Sequence, residues 1–152
     1  MAIILTQEEA DELLEMLKKC VQKSFSLPKN GERDNLEIQA INDRSKIFII
    51  SVSRVNKSVD KVSFTARYKK GDVRLLRLDV SPTWTHRNPE ALGGEKIIGT
   101  HLHLYREGFD DKYAEPFNVD DPDLYKYFLA FLDKFNVVEK CEIKLQTELE
   151  EV

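Results

Sequence analysis

Apolar residues recur at helical spacing only at the two ends of the chain, and the middle reads as strands. Ala10, Leu13, Leu14, Leu17 and Val21 fall on one face of a helix, with Glu8, Glu9, Asp11, Glu12, Lys18, Lys19 and Lys23 on the other. Thr6 and Glu9 have the spacing of a capping box, and Leu5 can staple the chain onto the first turn. The acids come early and the lysines late, as the helix dipole favours. Pro28 and Gly31 in "SFSLPKNGERD" break the pattern, so the helix is predicted to end before that stretch.

From "LEIQAI" onward the pattern is that of strands. "KIFIISVSRV" is rich in Ile, Val and Phe, and "KVSFTARYKK" and "DVRLLRLDV" flank Gly71 as a hairpin turning at Lys70-Gly71. The stretch Ser81 to Gly99, with Pro82, Pro89, Gly93 and Gly94, reads as a loop of about twenty residues, a length at which loops are often functional. "THLHLYRE" resumes as a strand. A second helix is expected from Asp121-Pro122, with Leu124, Phe128, Phe131, Leu132 and Phe135 as its apolar stripe and Asn136 as its C-cap. "KCEIKLQ" alternates as a last strand before a frayed acidic end. The expected fold is α+β, a single domain over residues 1–152. An antiparallel sheet of about five or six strands carries an N-terminal and a C-terminal helix on one face.

Composition narrows the function classes. The formal net charge is −4, which speaks against non-specific coating of nucleic acid and leaves room for a local basic patch. Lys61, Arg67, Lys69, Lys70, Arg74 and Arg77 make the hairpin basic; Asp110, Asp111, Glu115, Asp120, Asp121 and Asp123 make a later segment acidic. The two cysteines, Cys20 and Cys141, form no CxxC pair and read as free thiols of a reducing cytoplasm. No signal peptide and no transmembrane run is expected, so the chain is placed in the cytoplasm with no membrane partner.

The candidate chemistry lies in "GTHLHLYREG". Residues two apart share a strand face, so His101, His103 and Tyr105 point one way and Leu102 and Leu104 the other. With the leucines on the helices, the histidines are expected in water. Arg77 and Asp79 share a face of the neighbouring strand, and His86 lies in the long loop. In one reading His101 and His103 are an acid–base pair, with Tyr105 and an arginine contacting phosphate; this suits RNA cleavage through the 2′-hydroxyl, without metal or other cofactor. Catalysis is then assigned to His101, His103 and Tyr105. Substrate binding is assigned to Arg77, Asp79, Trp84, His86, Arg87, Arg106 and Glu107, with Trp84 placed to stack on a base. In another reading His86, His101 and His103 hold a metal, with Asp79 or Glu107. In a third they are surface residues or a binding face without chemistry.

The run "LLRLDVSPTWTHRNPEALGGEKIIGTHLHLYREGFDDKYAEPF" resembles an uncharacterised family of small bacterial and phage-borne proteins. Its marks here are Arg77, Asp79, His86, Asn88, Pro89, His101, His103, Tyr105, Glu107 and Gly108. The chain is similar, more weakly, to TumE-type toxins of toxin–antitoxin modules, from which it departs by a longer loop with Trp84 and by lacking adjacent histidines. The resemblance implies a mobile-element setting. The expected function is that of a toxin-like, RNA-directed protein, with RNA and a cognate antitoxin or host protein as partners. The alternative is a phage–host conflict protein that inhibits or regulates a protein target without catalysis.

Overall fold

A computed structural model describes residues 4–54 and 61–145. The acidic C-terminal end lies outside the described residues. The capping box is present: Glu9 N donates to Thr6 Oγ1 (3.1 Å) and Thr6 N to Glu9 Oε1 (3.0 Å), opening α1 (Gln7–Glu15). The helix ends well short of Val21. Met16 leaves helical geometry (ψ 135°), and the fully buried Lys18 turns inward. Its Nζ donates to the carbonyls of Leu14 (3.1 Å), Met16 (2.8 Å) and Phe135 (2.9 Å) and lies 4.2 Å from the Phe135 ring centroid. Carbonyls left orphaned at the helix end thus receive a side-chain donor. Burial pushes the Lys18 pKa down to about 7. Leu17 and Val21, expected on the helix's apolar face, are about half exposed.

The chain then forms β1 (Lys18–Cys20), β2 (Ser24–Leu27), β3 (Arg33–Ala40), β4 (Ile47–Ser53), β5 (Val62–Tyr68) and β6 (Val73–Val80). After these come β7 (Thr85–Arg87), β8 (Lys96–Ile98), β9 (His101–Arg106), β10 (Asp110–Pro116), α2 (Leu124–Lys134), β11 (Val137–Glu139) and β12 (Glu142–Leu145). The main sheet has eight strands in the order β10-β9-β6-β5-β4-β3-β1-β11, rather than five or six. The additional strands are short or polar: β1 and β11 have three residues each, and β10 lies in the acidic segment. All neighbours are antiparallel except β1 and β11. β2 and β12 form a separate parallel pair.

One sheet face is apolar. Leu36, Ile38, Phe48, Ile50, Val52, Phe64, Ala66, Leu76, Leu78 and Leu102 alternate onto it and are buried. Against it α2 packs Phe128 and Phe131, with ring centroids 5.3 and 5.7 Å from Phe64, and Phe135 meets Phe48 edge-on at 5.4 Å. Each such buried ring contributes roughly 1.5–3 kcal/mol by area. Ala10 and Leu13 of α1 join the same core. α2 begins two residues later than the sequence pattern predicts, capped by Asp123, whose Oδ1 accepts from Lys126 N (2.8 Å). Asn136 follows its end in the left-handed region (φ 61°) and donates through Nδ2 to Leu14 O (2.8 Å).

Two details position the functional region. The β5–β6 hairpin turns through Gly71 (φ 82°) and Asp72 (φ 53°), and a bulge interrupts its register between the pairs Ala66↔Leu76 and Arg67↔Arg74. Leu75 is the extra residue and is buried in the core, although alternation puts it with Arg77 and Asp79. The segment Ser81–Gly99 is not structureless. It forms a flap in which β7 and β8 pair antiparallel around one 3₁₀ turn, Glu90–Leu92.

Replacing Lys18 by Ala removes the side-chain donor of the Met16 and Phe135 carbonyls and leaves Leu14 O to Asn136 alone. Urea unfolding is expected to show a loss of roughly 2–4 kcal/mol; an unchanged midpoint contradicts this role.

Candidate functional site

The site is a product of sheet register. β6 and β9 are neighbours with Arg77 opposite His103 and Asp79 opposite His101, while Leu78 faces Leu102 on the core side. β5 places Ser63 opposite Asp79. Three consecutive strands thus bring a hydroxyl, a carboxylate, a guanidinium and two imidazoles together on the face away from α2.

Asp79 is the hub. Its Oδ1 accepts from Ser63 Oγ (2.8 Å), and its Oδ2 lies 3.2 Å from His103 Nε2, 3.5 Å from His101 Nε2 and 3.3 Å from Arg77 Nε. Arg77 also pairs through Nη1 with Asp111 (2.7 Å), and its Nη2 lies 3.0 Å from His103 Nε2. Burial on its own would raise the Asp79 pKa. The two imidazoles, the Arg77 charge and Ser63 outweigh it and hold the carboxyl well below the usual carboxylate range.

The two histidines experience this hub differently. Burial works against a charged His101, but its Nε2 faces Asp79 and its Nδ1 donates to Gly99 O (2.7 Å). The net effect raises its pKa above the ordinary 6.5. For His103 burial and the adjacent Arg77 charge prevail over Asp79, and its pKa falls below 6.5. The same network thus favours the charged form of His101 and the neutral form of His103, whose ring centroids lie 4.8 Å apart. His103 Nδ1 is buried without a hydrogen-bond partner.

The expectation that these imidazoles stand in water is wrong. His101 is 3% exposed and His103 1%. They lie on the predicted face, but the flap roofs them. The His86 ring lies 4.7 Å from His103 and 5.4 Å from His101, and its Nε2 reaches Lys112 O (2.8 Å). Asn88 latches the flap to the sheet edge, accepting from Ala114 N and donating to Ala114 O, both at 2.8 Å.

Arg77, Asp79, His86, His101 and His103 therefore come together, and the other candidates do not. Tyr105 is buried elsewhere, its hydroxyl donating to Leu5 O (2.6 Å) at the entry to α1. Glu107 accepts from Gln7 N (2.7 Å) and serves that helix start. Arg106 stacks on Tyr113 (4.6 Å), Arg87 donates to Gly94 O within the flap (3.1 Å), and Trp84 lies under the Lys61 ammonium (5.4 Å). Ser63 and Asp111 belong to the site although no sequence pattern marks them. Ser63 reaches Asp79 only through the Leu75 bulge, and Asp111 lies in a register irregularity of β10.

A metal has one geometric candidate here among the described residues: nitrogens of His86, His101 and His103 lie within 4.8 Å of one another. The Arg77 guanidinium already sits against His103 Nε2 and Asp79 Oδ2. A divalent cation next to it would meet like-charge repulsion in a poorly solvated setting.

The profile of a family of unknown function, DUF6978, matches residues 5–137, which takes in both helices and the whole histidine network. The chain belongs to that family. No curated protein and no solved structure matches it. Among the described residues of this DUF6978 chain no helix is long and apolar enough to cross a membrane.

Because the Asp79 pKa is depressed on folding, its stabilisation is present above the ordinary value of 3.8 and is lost as pH falls through the folded value. Asp79→Asn in this DUF6978 chain is expected to cost roughly 2–4 kcal/mol at pH 7. Chemical denaturation across a pH series should show the gap to the unmodified chain narrowing as pH drops below 3.8; a pH-independent gap contradicts the hub.

Proposed function

We propose that this DUF6978 chain is an RNA-directed protein that acts as a metal-independent ribonuclease of the toxin type. The observation that carries the reading is the opposed setting of two adjacent imidazoles, one favoured charged and the other neutral by the same carboxylate and guanidinium. Pairs of titratable groups pushed apart in this way mark acid and base. Neutral His103 takes the proton of a ribose 2′-hydroxyl. The freed oxygen attacks the adjacent phosphorus, and the 5′-oxygen leaves with a proton from His101. The products are a 2′,3′-cyclic phosphate and a 5′-hydroxyl end. Arg77 faces charge that builds on the phosphate oxygens, and Asp79 orients both rings.

Access requires the flap to lift, since His86 covers the pair. A lifted flap carries His86 and Arg87 onto the substrate. The toxin setting, with a cognate antitoxin as partner, rests on the weaker resemblance to TumE-type proteins in the order of an aspartate-bearing strand, a histidine-containing loop and a histidine-rich strand. The near-complete burial of both imidazoles favours a second reading: a non-catalytic inhibitor or regulator of a protein partner, whose histidine network only stabilises the sheet.

Cleavage of single-stranded RNA by the purified chain tests both readings. His101→Ala and His103→Ala are each expected to slow cleavage by about 10²–10⁴. The rate should be bell-shaped in pH around 6.5, its acid limb set by His103 and its alkaline limb by His101, and a chelator should leave it unchanged. No cleavage, together with stoichiometric capture of one host protein, decides for the second reading.

A further inference from the structure

The face that carries the histidines is polar far beyond them. Register aligns Asn35, Ser51, Thr65, Arg77 and His103 in one row across β3, β4, β5, β6 and β9. Beside it Arg33, Ser53, Ser63, Asp79 and His101 form a second row. Arg33, Asn35, Ser51, Ser53, Thr65 and Arg77 of these rows line an open groove of about 560 Å³ together with Arg67 and Arg74, and the rows continue beyond it to the imidazoles under the flap. Three strand spacings give a lane of about 14 Å from the outer end at Arg33 to Arg77, one strand short of the flap-covered imidazole pair.

The lane is pre-oriented. Ser51 Oγ donates to Asn35 Oδ1 (2.7 Å), Arg67 Nη2 to Ser51 Oγ (3.2 Å) and Arg67 Nη1 to Asp72 (2.9 Å). Asp111 holds Arg77 and lies 3.7 Å from Arg74. Arg67 Nε is buried without a hydrogen-bond partner, and Arg33 is exposed. The aspartates fix three of the four guanidiniums and offset part of their charge; Asp34 also lines the groove. No lining residue is aromatic, so the lane offers hydroxyls and guanidinium forks but no stacking platform.

We propose that this lane binds the phosphate backbone of a single-stranded nucleic acid, without base recognition, and feeds it to the histidine pair. The inference rests on the RNA-directed reading for the identity of the polyanion and adds how it is held: by guanidinium forks on phosphate, the geometry arginine favours. Binding of this kind is sequence-tolerant and steeply salt-dependent.

The test uses the full chain and a fluorescein-labelled 2′-O-methyl oligouridylate, which lacks the hydroxyl that cleavage needs, so binding is read apart from chemistry. Arg33→Ala and Arg67→Ala are each expected to weaken binding about threefold to tenfold at low salt and to flatten the salt dependence by about 0.7 in log–log slope. Arg33→Lys, which keeps the charge but not the fork, should restore the salt dependence while recovering only part of the affinity, and an oligoadenylate probe should bind as the oligouridylate does. Wild-type affinity in both alanine variants, or a strong preference for one base, overturns the lane. Arginine-dependent binding without cleavage of an unmodified probe retains the lane and removes the ribonuclease.

Discussion

A carboxylate taken out of water must have its charge met, and the Asp79 carboxylate meets it with the Ser63 hydroxyl, two imidazoles and a guanidinium. The rest of the site follows from that requirement. Asp79 can be buried only because β5, β6 and β9 bring these groups to one point, and they do so only in the observed register. A shift of one residue would turn Asp79 and His101 into the apolar face that α2 covers. The polar cluster therefore specifies sheet register as well as opposing the two imidazoles.

The flap gives the network its asymmetry. By covering the pair with His86 it removes water, so the charges around each ring act at close range with little screening. His101 has an extra acceptor in Gly99 O, whereas His103 lies nearest Arg77. That difference separates two residues that are neighbours in one strand. The Asn88 latch on β10 uses side-chain hydrogen bonds, which can be exchanged for water at modest cost. The proposed access of RNA to the pair depends on that exchange.

Much of the framework was legible in the sequence: the Thr6–Glu9 capping box, the apolar stripe of α2, the hairpin at Gly71 and the face shared by His101 and His103 follow from spacing and propensity. Other features were hidden because they depend on distant partners. Lys18 reads as a solvated helix residue and becomes a buried donor only when Phe135 and the end of α1 converge on it. β10 reads as acidic loop and becomes a strand by pairing with β9. The Leu75 bulge moves Ser63 opposite Asp79, which no count back from the turn reveals. Tyr105 alternates with the histidines, yet its hydroxyl is claimed by the carbonyl of Leu5, a hundred positions away.

Separate protonation of the two rings within one network is what this account depends on, and histidine ring-nitrogen NMR measured across pH reads it directly. The account predicts that His101 keeps both ring protons to a pH above 6.5, while His103 gains its second proton only below 6.5. Titration of both rings together at the ordinary value, or in the reverse order, would contradict it.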